Sequence, residues 1–197
     1  MSAKVLSERE FKRVLAYIAS HSHASRNRAM LLMTHLAGMR VGEVAAVTIT
    51  DVLNSDGSIK DEIFLVPQNS NKRGRIVLLP VQLQQEIQHY LGVRFRVKDL
   101  ATINFIDTNR ALFNTQKQPI RGFTSGTLSQ HFHYLYRAVG IKASSHSGRR
   151  GFITSLAKKG VNVRVLRALV GHTRTATTAR YFETHPAMMR SAVEMMT

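Results

Sequence analysis

Between Ser145 and Phe182 the chain is punctuated so closely that only short helices fit into it. Gly160 stops one apolar-periodic run, Asn162 caps the next, and Gly171 stops that one in turn. His146 and Arg149 stand three residues apart at the start of the first run. Residues at that spacing share a helix face, so the two can reach one object. His172 follows Gly171, and Tyr181 comes nine residues later in a Thr/Ala/Arg segment that also reads helical. A helix start favours anions, because its free N–H groups and dipole point outward. An Arg, two His and a Tyr near such ends point to a phosphate and to chemistry done on it.

The charge balance agrees. Lys and Arg outnumber Asp and Glu by 28 to 12, a net charge of +16 on 197 residues. So much like charge repels itself and calls for a polyanionic partner, with nucleic acid ahead of a membrane surface. There is no Cys, which excludes disulfides, thiolate nucleophiles and Cys-based zinc sites. No apolar run approaches the roughly twenty residues of a membrane span, and the N-terminus has no signal-peptide core. The expectation is a soluble, cytoplasmic protein without a membrane partner, associated with the nucleoid when bound to DNA. The length suits one domain with a substantial core.

The rest of the chain reads as helices around one hairpin. Ser7 and Glu10 have the capping-box spacing, and Phe11, Val14, Leu15 and Ile18 fall on one face of a helix to Ala19. His21 and His23 read as loop. A second helix covers Arg26 to Leu36, followed by a break at Gly38. Arg40 comes next, with Glu43 three residues on; the pair is either a surface ion pair or an Arg held by Glu43 and aimed at an anion. Ile63–Val66 and Arg75–Leu79 are strand-like and flank a basic tip that holds Lys72 and Arg73. A helix from Pro80 to Leu91 follows. Gly92 to Phe123 is irregular, with a strand-like piece at Ile103–Ile106 and enough apolar residues to pack on the core. Ser125 to Val139 is helical, with Leu128, Phe132, Leu135 and Val139 inward and His131 and His133 expected at the surface or facing DNA. A break at Pro186 precedes an amphipathic tail from Ala187 to Met196, too short to be stable undocked.

Taken in order, Arg40, Lys72, His146-x-x-Arg149, Gly171-His172 and Tyr181 resemble the tyrosine recombinase (phage integrase) family of DNA recombinases. The match covers all six positions of the family pattern and runs from about Ser7 to the C-terminus. Gly148 stands where the family often has an apolar residue, and Arg150 where a second His is common. The resemblance implies a mainly α fold with a small antiparallel β-sheet (α+β), the tyrosine recombinase catalytic-domain fold. The expectation is a single catalytic domain over residues 1–197 with an oligomerisation tail from about 187 and, in a departure from most of the family, no separate N-terminal core-binding domain. The resemblance also implies double-stranded DNA as partner, a homo-tetramer on DNA from a monomer in solution, and an accessory DNA-binding protein as a candidate replacement for the absent domain.

The chemistry implied is site-specific breaking and rejoining of DNA through a 3′-phosphotyrosine. Arg40 and Arg149 would neutralise the non-bridging oxygens, since guanidinium forks pair bidentately with phosphate. His172 would add a donor, and Glu43 would orient Arg40. Tyr181 would be the nucleophile. Lys72 would protonate the leaving 5′ oxygen, and His146 would take the Tyr proton or hold the phosphate. No cofactor or metal is implied, because the Arg pair does what a divalent ion would do. Two other readings remain at this level: DNA relaxation like that of a type IB topoisomerase, and a non-catalytic DNA-binding accessory protein.

Overall fold

The computed structural model describes residues 3–66, 74–103, 110–116, 120–182 and 193–194. Lys72, most of Ile103–Ile106 and most of the tail from Ala187 lie outside the described residues. The chain divides into two compact units, Met1–Phe152 and Ile153–Thr197.

The first unit is built round a helix whose middle, from Ala29 to Met33, is apolar on every side. Helix α2 (Ala24–Leu36) buries Ala29, Met30, Leu31, Leu32 and Met33 in succession. A helix hydrophobic all round belongs in the middle of a core, and α2 packs on α1 (Glu8–Ala19), α3 (Val41–Ala46) and α5 (Val81–Phe95). Helix α1 shows the expected reciprocal cap: Glu10 N–H donates to Ser7 Oγ at 3.2 Å, and Ser7 N–H donates to Glu10 Oε2 at 3.0 Å. Helix α4 (Ile49–Val52) leads into an antiparallel hairpin, β1 (Glu62–Leu65) with β2 (Arg75–Leu78). Ile63 pairs with Val77 and faces the core, while Phe64, Ile76 and Leu78 face outward. Helix α5 buries Leu83, Ile87, Tyr90 and Leu91, and it continues through Gly92 rather than stopping near it.

The described part of the irregular region is packed as expected. Leu112 and Phe113 are buried, and the Ala111 and Leu112 carbonyls are tied to α5. Arg94 Nη1 donates to the Ala111 and Leu112 carbonyls at 2.8 and 2.7 Å, and Tyr90 Oη donates to Leu112 O at 2.9 Å. Helix α6 (Ser125–Ala138) packs on α3 and α1. Its inward side includes Tyr136, whereas Val139 is only partly covered.

His131 corrects the sequence expectation. It is half-buried rather than on the surface: its Nε2 lies 3.0 Å from Asn27 Oδ1, beside the buried Arg26 and Asn27. Arg26 donates to Asn27 Oδ1 at 3.1 Å and to Asn114 O at 2.8 Å, and its guanidinium lies over the Phe123 ring. Burial first, then the Arg26 and His23 charges, pushes His131 down to about 4, so it is neutral here. A buried cation needs this much bonding, because an unpaired one would be expelled. His133 is exposed.

Helix α7 (Ser147–Lys158) begins in the first unit and ends in the second. In the second unit it stops at Gly160, whose φ is +78°. Asn162 Oδ1 then accepts the Arg164 N–H at 2.8 Å and caps α8 (Val163–Val170). Gly171, at φ +61°, ends α8, and α9 (Thr175–Ala179) follows. Among the described residues no helix is long and apolar enough to cross a membrane.

Candidate functional site

The first unit places Arg40 and Arg149 on one turn. Gly38 takes a left-handed φ of +61° between α2 and α3, a conformation that L side chains resist. That turn presents the Gly38 carbonyl to Arg149, whose Nη1 donates to it at 2.6 Å. Arg149 is buried, with 6% of its surface exposed. His146 precedes α7 and is exposed, so the two residues share a helix start but not an environment. The turn before α7 is also less open to an anion than its sequence implies. Ser144 Oγ accepts the His146 N–H at 3.3 Å, and Ser147 Oγ accepts the Ser144 N–H at 3.1 Å.

Gly148 is a departure with a steric cause. A Cβ there would stand 2.1 Å from Thr34 Oγ1 and 2.6 Å from His35 Nδ1, so the start of α7 lies against α2 where only hydrogen fits. Thr34 Oγ1 donates to Leu31 O at 2.7 Å, and the His35 ring stacks on Phe11. His35 Nε2 is shielded from solvent and has no hydrogen-bond partner among the described residues, and burial pushes His35 down to about 4.

Arg40 sits at the cap position of α3 with an extended backbone. Its N–H donates to Glu43 Oε2 at 2.6 Å, and its Nη1 donates to Glu43 Oε1 at 2.8 Å. Glu43 therefore holds both the backbone and the side chain of Arg40. Arg75 on β2, which sequence reasoning passed over, shares that carboxylate: its Nη2 donates to Oε2 at 2.8 Å and its Nε to Oε1 at 3.3 Å. Burial pushes the Glu43 carboxyl up, but Arg75 and then Arg40 outweigh it and hold it below the ordinary value. The signal for Arg75 was in the strand period. Arg75 and Val77 share one face of β2, and Val77 is buried, so Arg75 needed a partner inside.

In the second unit, His172 follows the Gly171 cap, its N–H donating to Arg167 O at 3.2 Å. Its Nδ1 lies 2.9 Å from Thr178 Oγ1, and Thr178 is fully buried. That bond fixes the imidazole against α9 and leaves Nε2 as the nitrogen turned away from Thr178. Tyr181 lies just past α9, its N–H bonded to Thr178 O at 3.0 Å, and is partly exposed. Thr178 thus anchors His172 by its side chain and Tyr181 by its backbone. Arg167 Nη1 donates to Thr175 Oγ1 at 2.7 Å and ties α8 to the same segment.

A mainly helical arrangement with one antiparallel hairpin among the described residues, carrying Arg, His-x-x-Arg, Gly-His and Tyr in this order, has the organisation of the phage integrase family. The chain is a member of that family, whose profile matches residues 4–188. It is 26% identical to tyrosine recombinase XerA of Pyrococcus horikoshii over 97% of this chain and 60% of that protein. It is 28% identical to XerA of Thermococcus kodakarensis over 97% of this chain and 62% of that protein. The chain thus spans about three fifths of the length of these relatives. Among solved structures it resembles a XerA recombinase (TM-score 0.73, 24% identity, 99% of this chain and 65% of that one). It also resembles the Tn1549 transposon integrase in complex with a circular intermediate DNA (TM-score 0.75, 18% identity, 100% of this chain and 67% of that one). The fold is that of the tyrosine recombinase catalytic domain.

Proposed function

We propose that this chain is the catalytic part of a site-specific DNA recombinase that cuts and rejoins DNA through a covalent tyrosyl intermediate. The observation that carries the reading is the Arg149–Gly38 bond at 2.6 Å. It roots the second arginine in the turn that presents the first, two residues before Arg40. Two fixed guanidinium groups can offset the negative charge that makes a phosphodiester resist attack.

In the reaction, Tyr181 Oη attacks the scissile phosphorus and the P–O5′ bond breaks, leaving the DNA 3′ phosphate on the tyrosine. His146 takes the Tyr181 proton or holds the phosphate. Lys72 gives a proton to the departing 5′ oxygen. Arg40 and Arg149 meet the non-bridging oxygens, Glu43 holds Arg40, and the His172 Nε2 adds a donor. A 5′-OH from a partner strand then attacks the phosphotyrosine, regenerating Tyr181 without an external energy source. The partner is double-stranded DNA, on which four copies assemble with the tail from residue 187 docked on a neighbour.

The test is a nicked suicide substrate carrying the protein's own recombination site. The wild type is expected to give a DNA-shifted band on a denaturing gel, and Tyr181→Phe to lose the band while still binding DNA. A band that persists in Tyr181→Phe would refute the role of Tyr181.

A further inference from the structure

We propose that Arg75 is a positioning residue for Arg40, acting through Glu43; the inference rests on the function proposed above. Three distances carry it. Glu43 Oε1 receives Arg40 Nη1 at 2.8 Å, Oε2 receives Arg75 Nη2 at 2.8 Å, and Arg75 Nε closes on Oε1 at 3.3 Å. The Arg75 fork thus spans both carboxylate oxygens. The Arg75 side chain is 10% exposed, Glu43 20% and Arg40 43%, so the three run from the interior outward.

Geometry is the first consequence. Without Arg75, the Arg40 backbone N–H still pins Glu43 Oε2 at 2.6 Å, but the carboxylate can pivot about that bond and carry the Arg40 side chain with it. A planar fork on the other side removes that freedom, because guanidinium and carboxylate pair in one plane. Charge is the second. Arg40 and Glu43 by themselves sum to zero, and the carboxylate would repel a phosphate brought to Arg40. Adding Arg75 leaves the trio at +1, with Arg40 its most exposed member. Arg75 therefore lets Glu43 act as a strut without cancelling the charge that it supports. A lysine could supply the charge but not the planar fork.

The experiment compares Arg75→Gln, Arg75→Lys, Glu43→Gln and Glu43→Gln/Arg75→Gln with the wild type. Single-turnover cleavage of the suicide substrate and DNA affinity are both measured. Displacing a reacting group by about 1 Å can lower a rate 10²-fold, so Arg75→Gln is expected to slow cleavage by about tenfold to a hundredfold, with affinity within about twofold. Arg75→Lys should recover part of the rate. The double variant, which regains the +1, should be no slower than Arg75→Gln. On a substrate with a neutral methylphosphonate at the scissile position, the Arg75→Gln defect should shrink, because the charge that Arg40 meets is gone; a purely structural loss would be the same on both substrates. NMR relaxation of the Arg40 Nε–H in the DNA-free protein reads the positioning without cleavage, and Arg75→Gln should loosen it. An Arg40 equally rigid in Arg75→Gln, or a defect of equal size on the two substrates, would overturn the proposal. If the wild type formed no covalent adduct, the recombinase reading would fall, and the relaxation measurement would still decide whether Arg75 positions Arg40.

Discussion

Replacing Gly38 with Ala should unfold the site before it alters any group that touches DNA. Two separate costs meet at this position. The backbone φ of +61° is left-handed, which an L side chain resists by about 1–2 kcal/mol. The new Cβ would also stand 2.4 Å from Phe152 Cδ1 and 2.8 Å from Cε1. A whole ring must move to relieve that contact, and overpacking of this kind costs about 1–3 kcal/mol. Together they amount to about 2–5 kcal/mol, a large part of the roughly 5–15 kcal/mol that holds a domain folded. Urea denaturation followed by circular dichroism reads the sum as a lowered midpoint. Companion variants separate the parts. Gly38→Asn tolerates the left-handed backbone but keeps the clash, and Phe152→Leu in the Gly38→Ala background relieves the clash but keeps the strain. Each should therefore be more stable than Gly38→Ala after allowance for Phe152→Leu alone. Because the Gly38 carbonyl receives Arg149, the surviving folded fraction of Gly38→Ala should also cleave more slowly. A Gly38→Ala protein within about 0.5 kcal/mol of wild type, the ordinary range for a neutral surface change, would refute both the backbone and the steric argument.

Other outcomes follow from the same geometry. Gly148→Ala should destabilise by about 1–3 kcal/mol, since its Cβ would meet Thr34 Oγ1 and His35 Nδ1, and Thr34→Ala should return part of the loss in a urea titration. Arg26→Met leaves the Asn114 carbonyl without its Arg26 donor while Asn27 Oδ1 keeps His131 Nε2, and the loss of about 1–3 kcal/mol is measurable by thermal melting. His35 and His131 are both pushed from the ordinary 6.5 to about 4, so between those values the unfolded chain binds more protons than the folded one. Stability is then present in full above about pH 6.5 and falls as the pH drops toward 4; His35→Gln should flatten that slope, and an unchanged slope would count against the burial of His35. With roughly six phosphates neutralised, log K for DNA should fall against log salt with a slope of about −5, whereas a slope nearer −1 would mean that most of the charge faces away from DNA.

The sequence by itself determined the local features, because they rest on residues a few positions apart. The Ser7–Glu10 box, the Asn162 cap and the stops at Gly160 and Gly171 are satisfied within one turn of chain, and they appear where their spacing predicts. Arg40 and Glu43 pair for the same reason. The core positions of α1 followed from a period of 3.6, whereas the continuous apolar runs of β1 and β2 showed strands without showing which side faces inward. Tertiary structure decided what depends on residues brought together from far along the chain. Only packing made His131 a half-buried partner of Asn27, and only packing put Gly148 against Thr34 and His35. The Gly38 carbonyl meets Arg149 from more than a hundred residues away, and Arg75 on β2 reaches Glu43 on α3. No period or cap encodes such contacts. A buried polar group must find some partner, and the sequence shows that need without showing which distant group will be within 3 Å.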